Sequence, residues 1–173
     1  MALRTIRTFD DEILRKPCRP VKEVTDRIRT LIEDMVETMA QKDGGGLAAN
    51  QVGILRRVVV IDIADSGLLK LINPEIVSSE GTAVVEEGCL SFPDVWGTVE
   101  RPEKVTVRAL DENGNEFEVS GEGLLAQCLS HEIDHLNGIV FTDKVIEYID
   151  PYAEDEDDAD LQAGEKTEPD EQA

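Results

Sequence analysis

The chain holds two histidines, and both fall in one stretch, His131-Glu132-Ile133-Asp134-His135. Inside a helix, residues four apart share a face and stand one turn from each other. Two imidazoles at that spacing can hold one metal ion. Glu132 adjoins a ligand without taking a ligand position, so its carboxylate can reach a water at the metal and act as a general base. The bland alternative is a surface helix that carries two histidines by chance. Having both histidines of the chain in one motif argues against it.

Two histidines do not complete such a site, because catalytic centres of this kind use three protein ligands and keep a fourth position open. Downstream of His135 there is no further histidine, and Glu147 stands just ahead of an acidic stretch. The chain has three cysteines, Cys18, Cys89 and Cys128. They are too few for a disulfide framework and read as reduced thiols of a cytoplasmic protein. Cys128 precedes His131 by one turn. Along the helix axis it is about 4.5 Å from His131 and about 10.5 Å from His135. That is a poor place from which to share an ion with both, and it is expected to pack beside the site as a small apolar group. Cys18, between Pro17 and Arg19-Pro20, reads as structural. Cys89 lies in Glu87-Gly88-Cys89-Leu90-Ser91, in a turn after a strand, and can approach the helix from the side. It is favoured as the third ligand, with Cys128 left as the alternative.

A third segment is Gly44-Gly45-Gly46-Leu47-Ala48-Ala49-Asn50-Gln51. It lacks the Lys and Ser/Thr of a phosphate-binding P-loop. A helix end followed by a turn explains the glycines equally well. Gln51 offers an amide donor that suits a developing oxyanion in a dry site.

The elements that must position these residues are legible in outline. A short helix is expected from Asp10 to Lys16, before Pro17. Thr25 reads as the N-cap of a helix whose apolar residues Ile28, Leu31, Ile32, Met35, Val36 and Met39 recur at helical spacing, ending before Gly44. Arg57 to Ile63 reads as a buried strand. Leu69 to Pro74 and Glu75 to Ser79 read as strand segments broken at Pro74. Thr82 to Val85, Val105 to Leu110 and Glu116 to Val119 are further strands, the last two joined at Asn113-Gly114. From Gly123 the pattern is helical through Leu136, with Asn137-Gly138 as the stop. Strands gathered in the middle, with helices on either side, predict an α+β fold. Mixed or antiparallel sheets would pack around a C-terminal helix carrying the two histidines, with a second helix near the N-terminus.

Composition bounds the rest. The 173 residues carry a formal charge of −21. A surface built to neutralise phosphates needs clustered Lys and Arg, so direct nucleic-acid binding is not expected. No apolar run approaches the ~20 residues needed to span a bilayer, and no signal peptide is visible. Residues 150–173 hold eleven acids and one lysine. They are expected to be a disordered, solubilising tail behind one catalytic domain at 1–149.

The three segments together resemble the peptide deformylase family, in which G-x-G-L-A-A-x-Q, E-G-C-L-S and H-E-x-D-H occur in this order. The resemblance covers roughly residues 3–147. It implies that Cys89, His131 and His135 hold one divalent metal, Fe(II) in the cell, with zinc, nickel or cobalt able to take its place. It implies that metal-bound hydroxide attacks the formyl carbon of an N-formyl-methionyl nascent chain, with Glu132 as the acid/base. Gln51 and the backbone N–H of Leu90 would stabilise the oxyanion. Gly45, Gly46 and Gly88 would contact the extended substrate, and Leu124 and Cys128 would lie along it. A monomer with at most transient ribosome association is expected. Three positions depart from the family pattern: Gly45 replaces an aliphatic residue, Ser130 a glutamine, and Gln127 an aliphatic residue near the methionine pocket. Two rival readings are an H-E-x-x-H metalloprotease and a non-catalytic module with a structural metal. The first lacks its downstream ligand, and the second lacks a well-placed fourth one.

Overall fold

The run Val58-Val59-Val60-Ile61 is buried on both sides, and the fold is arranged around it. In the computed structural model, which describes residues 2–153, the run forms β2 (Val58–Ile63). Val58 and Val60 pack in a cluster with Leu31, Ile32, Met35 and Met39 of helix α1 (Asp26–Gln41). Val59 and Ile61 pack in another with Leu125, Ala126, Leu129 and Ile133 of helix α2 (Leu124–Leu136). A strand covered on both faces needs apolar residues at every position, which is why this one reads as an unbroken run.

The remaining strands, numbered in chain order, are β1 (Gly46–Ala48), β3 (Gly67–Glu80), β4 (Ala83–Cys89), β5 (Phe92–Arg101), β6 (Lys104–Leu110), β7 (Glu116–Glu122) and β8 (Glu147–Ile149). They form two sheets, ordered β1-β2-β3-β6-β7 and β4-β5-β8. Every strand pair is antiparallel. The architecture is the expected α+β arrangement, with α2 packed on the five-stranded sheet and α1 on the opposite face of β2. β1 and β4 are edge strands, and residues at both border the same cleft.

Local signals account for the ends. Thr25 caps α1, its hydroxyl accepting the Ile28 N–H at 3.4 Å. Gly138, at φ 74°, takes the left-handed conformation that ends α2. The β6–β7 hairpin turns at Asp111–Asn115, with Asp111 Oδ1 accepting the N–H groups of Asn113 and Asn115. The expected short helix is one turn of 3-10 helix, Glu12–Arg15.

Two expectations change, and three strands were not foreseen. Pro74 does not break the strand, because β3 runs through it. The register shifts between Ile72 and Glu75, and Asn73 sits there at φ 50°. Its side chain bonds both backbone groups of Val21 at 2.8 Å. The proline therefore occupies a bulge, where its missing N–H costs no ladder bond. Next, β4 extends to Cys89, which pairs with Phe92 across the two-residue turn Leu90-Ser91. Cys89 is thus the last residue of a strand rather than part of a loop. Finally, β1, β5 and β8 carried no periodic signal that singled them out. Among the described residues no helix is long and apolar enough to cross a membrane. Most of the acidic stretch, from Glu154 onward, lies outside the described residues.

Candidate metal centre

Helix α2 presents His131 and His135 on one face, with their ring centroids 4.8 Å apart. The two Nε2 atoms approach to 3.1 Å. The Cys89 Sγ, delivered by the end of β4, lies 3.3 Å from His135 Nε2. The three ligand atoms lie within 4.8 Å of one another. A tetrahedral ion with bonds of about 2.0–2.3 Å has ligand–ligand edges of roughly 3.3–3.6 Å. A thiolate and two imidazoles at these separations therefore fit a single transition-metal ion with one position left for another ligand. Cys128 is not in the group. It lines the cleft from the second turn of α2, and burial pushes its thiol up to about 12, with the nearby carboxylates of Glu132 and Glu87 adding to the rise.

A buried ionic chain orients His131. Glu87 bonds His131 Nδ1, which leaves Nε2 free to face the other ligands. Arg101 donates to both Glu87 oxygens, at 2.5 and 3.0 Å, and to Asp134 at 2.6 Å. Lys144 completes the chain at 2.8 Å from Asp134. Arg101 is 3% exposed, so its charge depends on these two carboxylates. Burial alone would raise the Glu87 carboxyl. The hydrogen bonds from His131 and Arg101 overrule it and bring it down to about 2. Burial also works against a charge on His131, yet Cys89, Glu87 and Glu132 lift that imidazole well above its ordinary value. Burial and the neighbouring His131 hold His135 well below its own. Arg101 went unnoticed in the sequence, where an arginine in a polar strand looks like any surface residue.

Glu132 is 4% exposed, and its Oε2 has no partner among the described residues. Burial pushes its carboxyl up to about 7, with Glu87 adding to the rise and His131 and Arg101 opposing it. Gly46 lies against it. A Cβ there would stand 2.6 Å from Glu132 Oε1.

Gln51, in a 3-10 turn after β1, is fixed at both ends. Its Oε1 accepts the Ala48 N–H at 2.9 Å, so its NH2 must face the other way. It donates to Ser91 Oγ at 3.0 Å and approaches Cys89 Sγ at 3.5 Å. Asn50, beside it, donates to the His135 carbonyl at 2.6 Å and ties this turn to α2.

These groups open onto a cleft of about 470 Å³. Gly44, Gly45 and Gly46 border one side, Gly88, Cys89 and Leu90 another, and Leu124, Gln127, Cys128, His131 and Glu132 the helical wall. Every residue named from the sequence for catalysis, binding or metal ligation thus lies at this cleft or in the ligand group. The sequence profile of polypeptide deformylases matches residues 3–149.

The chain belongs to the polypeptide deformylase family. It is 59% identical over 150 residues to the peptide deformylase of Caldanaerobacter subterraneus subsp. tengcongensis, covering 87% of this chain and 94% of that one. It is 55% identical to peptide deformylase 2 of Clostridium acetobutylicum, covering 86% of this chain and 99% of the relative. The fold matches the crystal structure of a peptide deformylase from Legionella pneumophila with a TM-score of 0.81 at 51% identity. That match covers 83% of this chain and 86% of the other. Membership and the three-ligand group together make this deformylase a metal-dependent hydrolase. The protease reading fails on the same ground, since the third ligand is an upstream cysteine.

Proposed function

We propose that this deformylase removes the formyl group from N-terminal formyl-methionine of nascent polypeptides, releasing formate and a free amine. The observation that carries the reading is a buried carboxylate oxygen of Glu132, unpartnered among the described residues, at a cleft that Cys89 and His131 of the Cys89–His131–His135 group also line. Those three residues would hold one divalent metal, Fe(II) in the cell. Zinc, nickel or cobalt suits the same donors. When bound, the ion supplies Lewis acidity that polarises the formyl carbonyl and acidifies water.

The protein's own groups do the rest. Glu132 takes a proton from the attacking water at its carboxylate and passes it to the departing amine nitrogen. A carboxyl lifted by burial holds that proton more readily than an exposed one would. As the carbon becomes tetrahedral, the Gln51 amide and the backbone N–H of Leu90 donate to the oxygen that gains charge. Gln51 is already oriented by its bond to Ala48, so little reorganisation is needed. The free edges of β1 and β4 supply backbone groups at Gly45, Gly46 and Gly88 for an extended chain lying between them. The methionine side chain enters toward Leu124, Gln127 and Cys128. Gln127 donates to the Glu86 carbonyl at 2.8 Å, which fixes its amide at the cleft wall. The enzyme works in the cytoplasm as a monomer, touching the ribosome transiently and without direct nucleic-acid binding. One catalytic domain spans 1–149, followed by an acidic tail.

The test is formate release from formyl-Met-Ala-Ser after anaerobic loading with Fe(II) or Ni(II). Glu132→Ala should lose about 10²–10⁴-fold in kcat while keeping one metal per chain. A folded, fully loaded wild type that releases no formate from any formyl peptide would overturn the reading.

A further inference from the structure

A second cavity, of about 520 Å³, shares no lining residue with the catalytic cleft. Ser79 at the end of β3, Thr82 in the turn to β4, Glu100 and Arg101 at the end of β5, and Lys144 and Ile146 ahead of β8 border it. The two cavities differ in charge. The catalytic cleft sets Lys42 against Asp43, Glu86, Glu87, Asp94 and Glu132. The second cavity sets two cations, Arg101 and Lys144, against Glu100 alone.

Its inner wall holds donors that the protein leaves unspent. Arg101 is 3% exposed. A guanidinium has five N–H donors. Three are used: Nε and Nη2 on Glu87, at 3.0 and 2.5 Å, and Nη1 on Asp134 at 2.6 Å. One N–H on Nη1 and one on Nη2 have no further acceptor among the described residues, and a buried donor without an acceptor is costly. Lys144 has three donors and pairs with Asp134 at 2.8 Å. The hydroxyls of Ser79 and Thr82 stand on the same cavity, both residues being exposed. A guanidinium, an ammonium and two hydroxyls together offer more donors than the two oxygens of a carboxylate can accept. They suit the three or four oxygens of a phosphate group.

We propose that this cavity is an effector site for a phosphate group, free or carried by a small phosphomonoester, and that its occupancy loosens the metal centre. The coupling has a physical path. The same Arg101 that would hold the phosphate braces Glu87, and Glu87 sets the ring of His131. A second anion on the guanidinium competes with Glu87 and Asp134 for it, and draws Lys144 from Asp134. His131 then loses part of the partner that orients it, and metal affinity follows such partners. By linkage, the metal must in turn weaken the phosphate. The site does not depend on which substrate the enzyme takes.

The experiment titrates the metal-loaded full chain with inorganic phosphate and with phenyl phosphate. Ionic strength is held constant with chloride, and binding is read by calorimetry. Saturable binding of at least one probe is expected. Lys144→Met and Thr82→Val should each weaken it about tenfold, as for one lost hydrogen bond to a charged group, and Lys144→Arg should keep most of it. Neither side chain borders the catalytic cleft, so a phosphate bound to the metal ion itself would be indifferent to both. Tighter binding of the ester assigns the ligand to the phosphomonoesters, and tighter binding of phosphate assigns it to the free ion. A second readout is apparent metal affinity in competition with a chelator, compared with and without ligand in each protein. Saturating ligand should lower it about fivefold or more in the wild type and leave it unchanged in Lys144→Met. No binding of either probe, binding indifferent to both Lys144→Met and Thr82→Val, or a wild-type metal affinity unmoved at saturation would overturn the proposal. Neither readout uses a formyl peptide, so the outcome stands apart from the test of the deformylase reaction.

Discussion

Gly46 and Glu132 are in van der Waals contact across the cleft floor, and the contact leaves no room for a Cβ. One placed at Gly46 would stand 2.6 Å from Glu132 Oε1 and 3.0 Å from its Cδ and Cγ. The carboxylate is therefore seated by the backbone of β1, although no hydrogen bond from the described residues holds its Oε2. Gly46→Ala should push Glu132 off its seat without touching the metal ligands. We expect kcat to fall about 10²-fold, as for a misplaced catalytic group, with metal content unchanged. Paired measurements of formate release and bound metal check this. Loss of metal together with activity would place the damage in the ligand group instead.

Arg101 is the buried link between Glu87 and Asp134. Arg101→Met leaves one fully buried carboxylate without its cation, and removing one partner of a buried pair costs about 3–5 kcal/mol. The same change frees Glu87, which sets the ring of His131. Disturbing such an outer partner costs about 10–100-fold in metal affinity. Denaturant unfolding should show the stability loss, and competition with a chelator the weaker metal binding. A variant that is destabilised but binds metal as the wild type does would separate the two roles.

Glu87 also gives the fold an acid-sensitive component. Its carboxyl lies near 2 in the folded chain and near 4.5 when free. The stabilisation is fully present above pH 4.5 and is lost as the pH falls through that value toward 2. The total is on the order of 3 kcal/mol. In chelator-treated protein, urea midpoints should fall between pH 5 and pH 2.5 more steeply for the wild type than for Glu87→Gln. Parallel slopes would assign the acid sensitivity to other groups.

The site was more legible in the sequence than the sheets around it. His131 and His135 are fixed by helical spacing, and α2 announces itself through Leu125, Leu129 and Leu136 on one side and Gly138 at its end. Cys89 was favoured over Cys128, whose place on α2 is a poor one for sharing an ion with both histidines, and the family resemblance implied it as the third ligand. β1 was hidden because three residues of Gly-Leu-Ala have no period to read. β5 was hidden because its inward residues include Gly97 and the charged Arg101, whose burial depends on Glu87 and Asp134 far along the chain. Pro74 misled because the partner that turns a break into a bulge is Val21, fifty-two residues away from Asn73. Short-range rules cannot see such partners.

The three thiols should separate by reactivity. Burial pushes Cys18 up to about 11, with Arg57 and the Asn50 backbone opposing. Cys128 is pushed to about 12 by burial and by the carboxylates of Glu132 and Glu87. Thiolate is the reactive form, so at pH 8 both are almost entirely protonated and should resist a disulfide reagent. Cys89 is half-buried at the open end of β4 and borders the cleft. A metal ion held by its sulfur would shield it. Chelator-treated protein should therefore titrate one thiol quickly, mapped to Cys89 by peptide mass. The metal-loaded protein should titrate none on the same timescale, and Cys89→Ser should titrate none in either state. Rapid labelling of Cys128 in the folded chain would show that the helical wall of the cleft opens more readily than its packing against the five-stranded sheet implies.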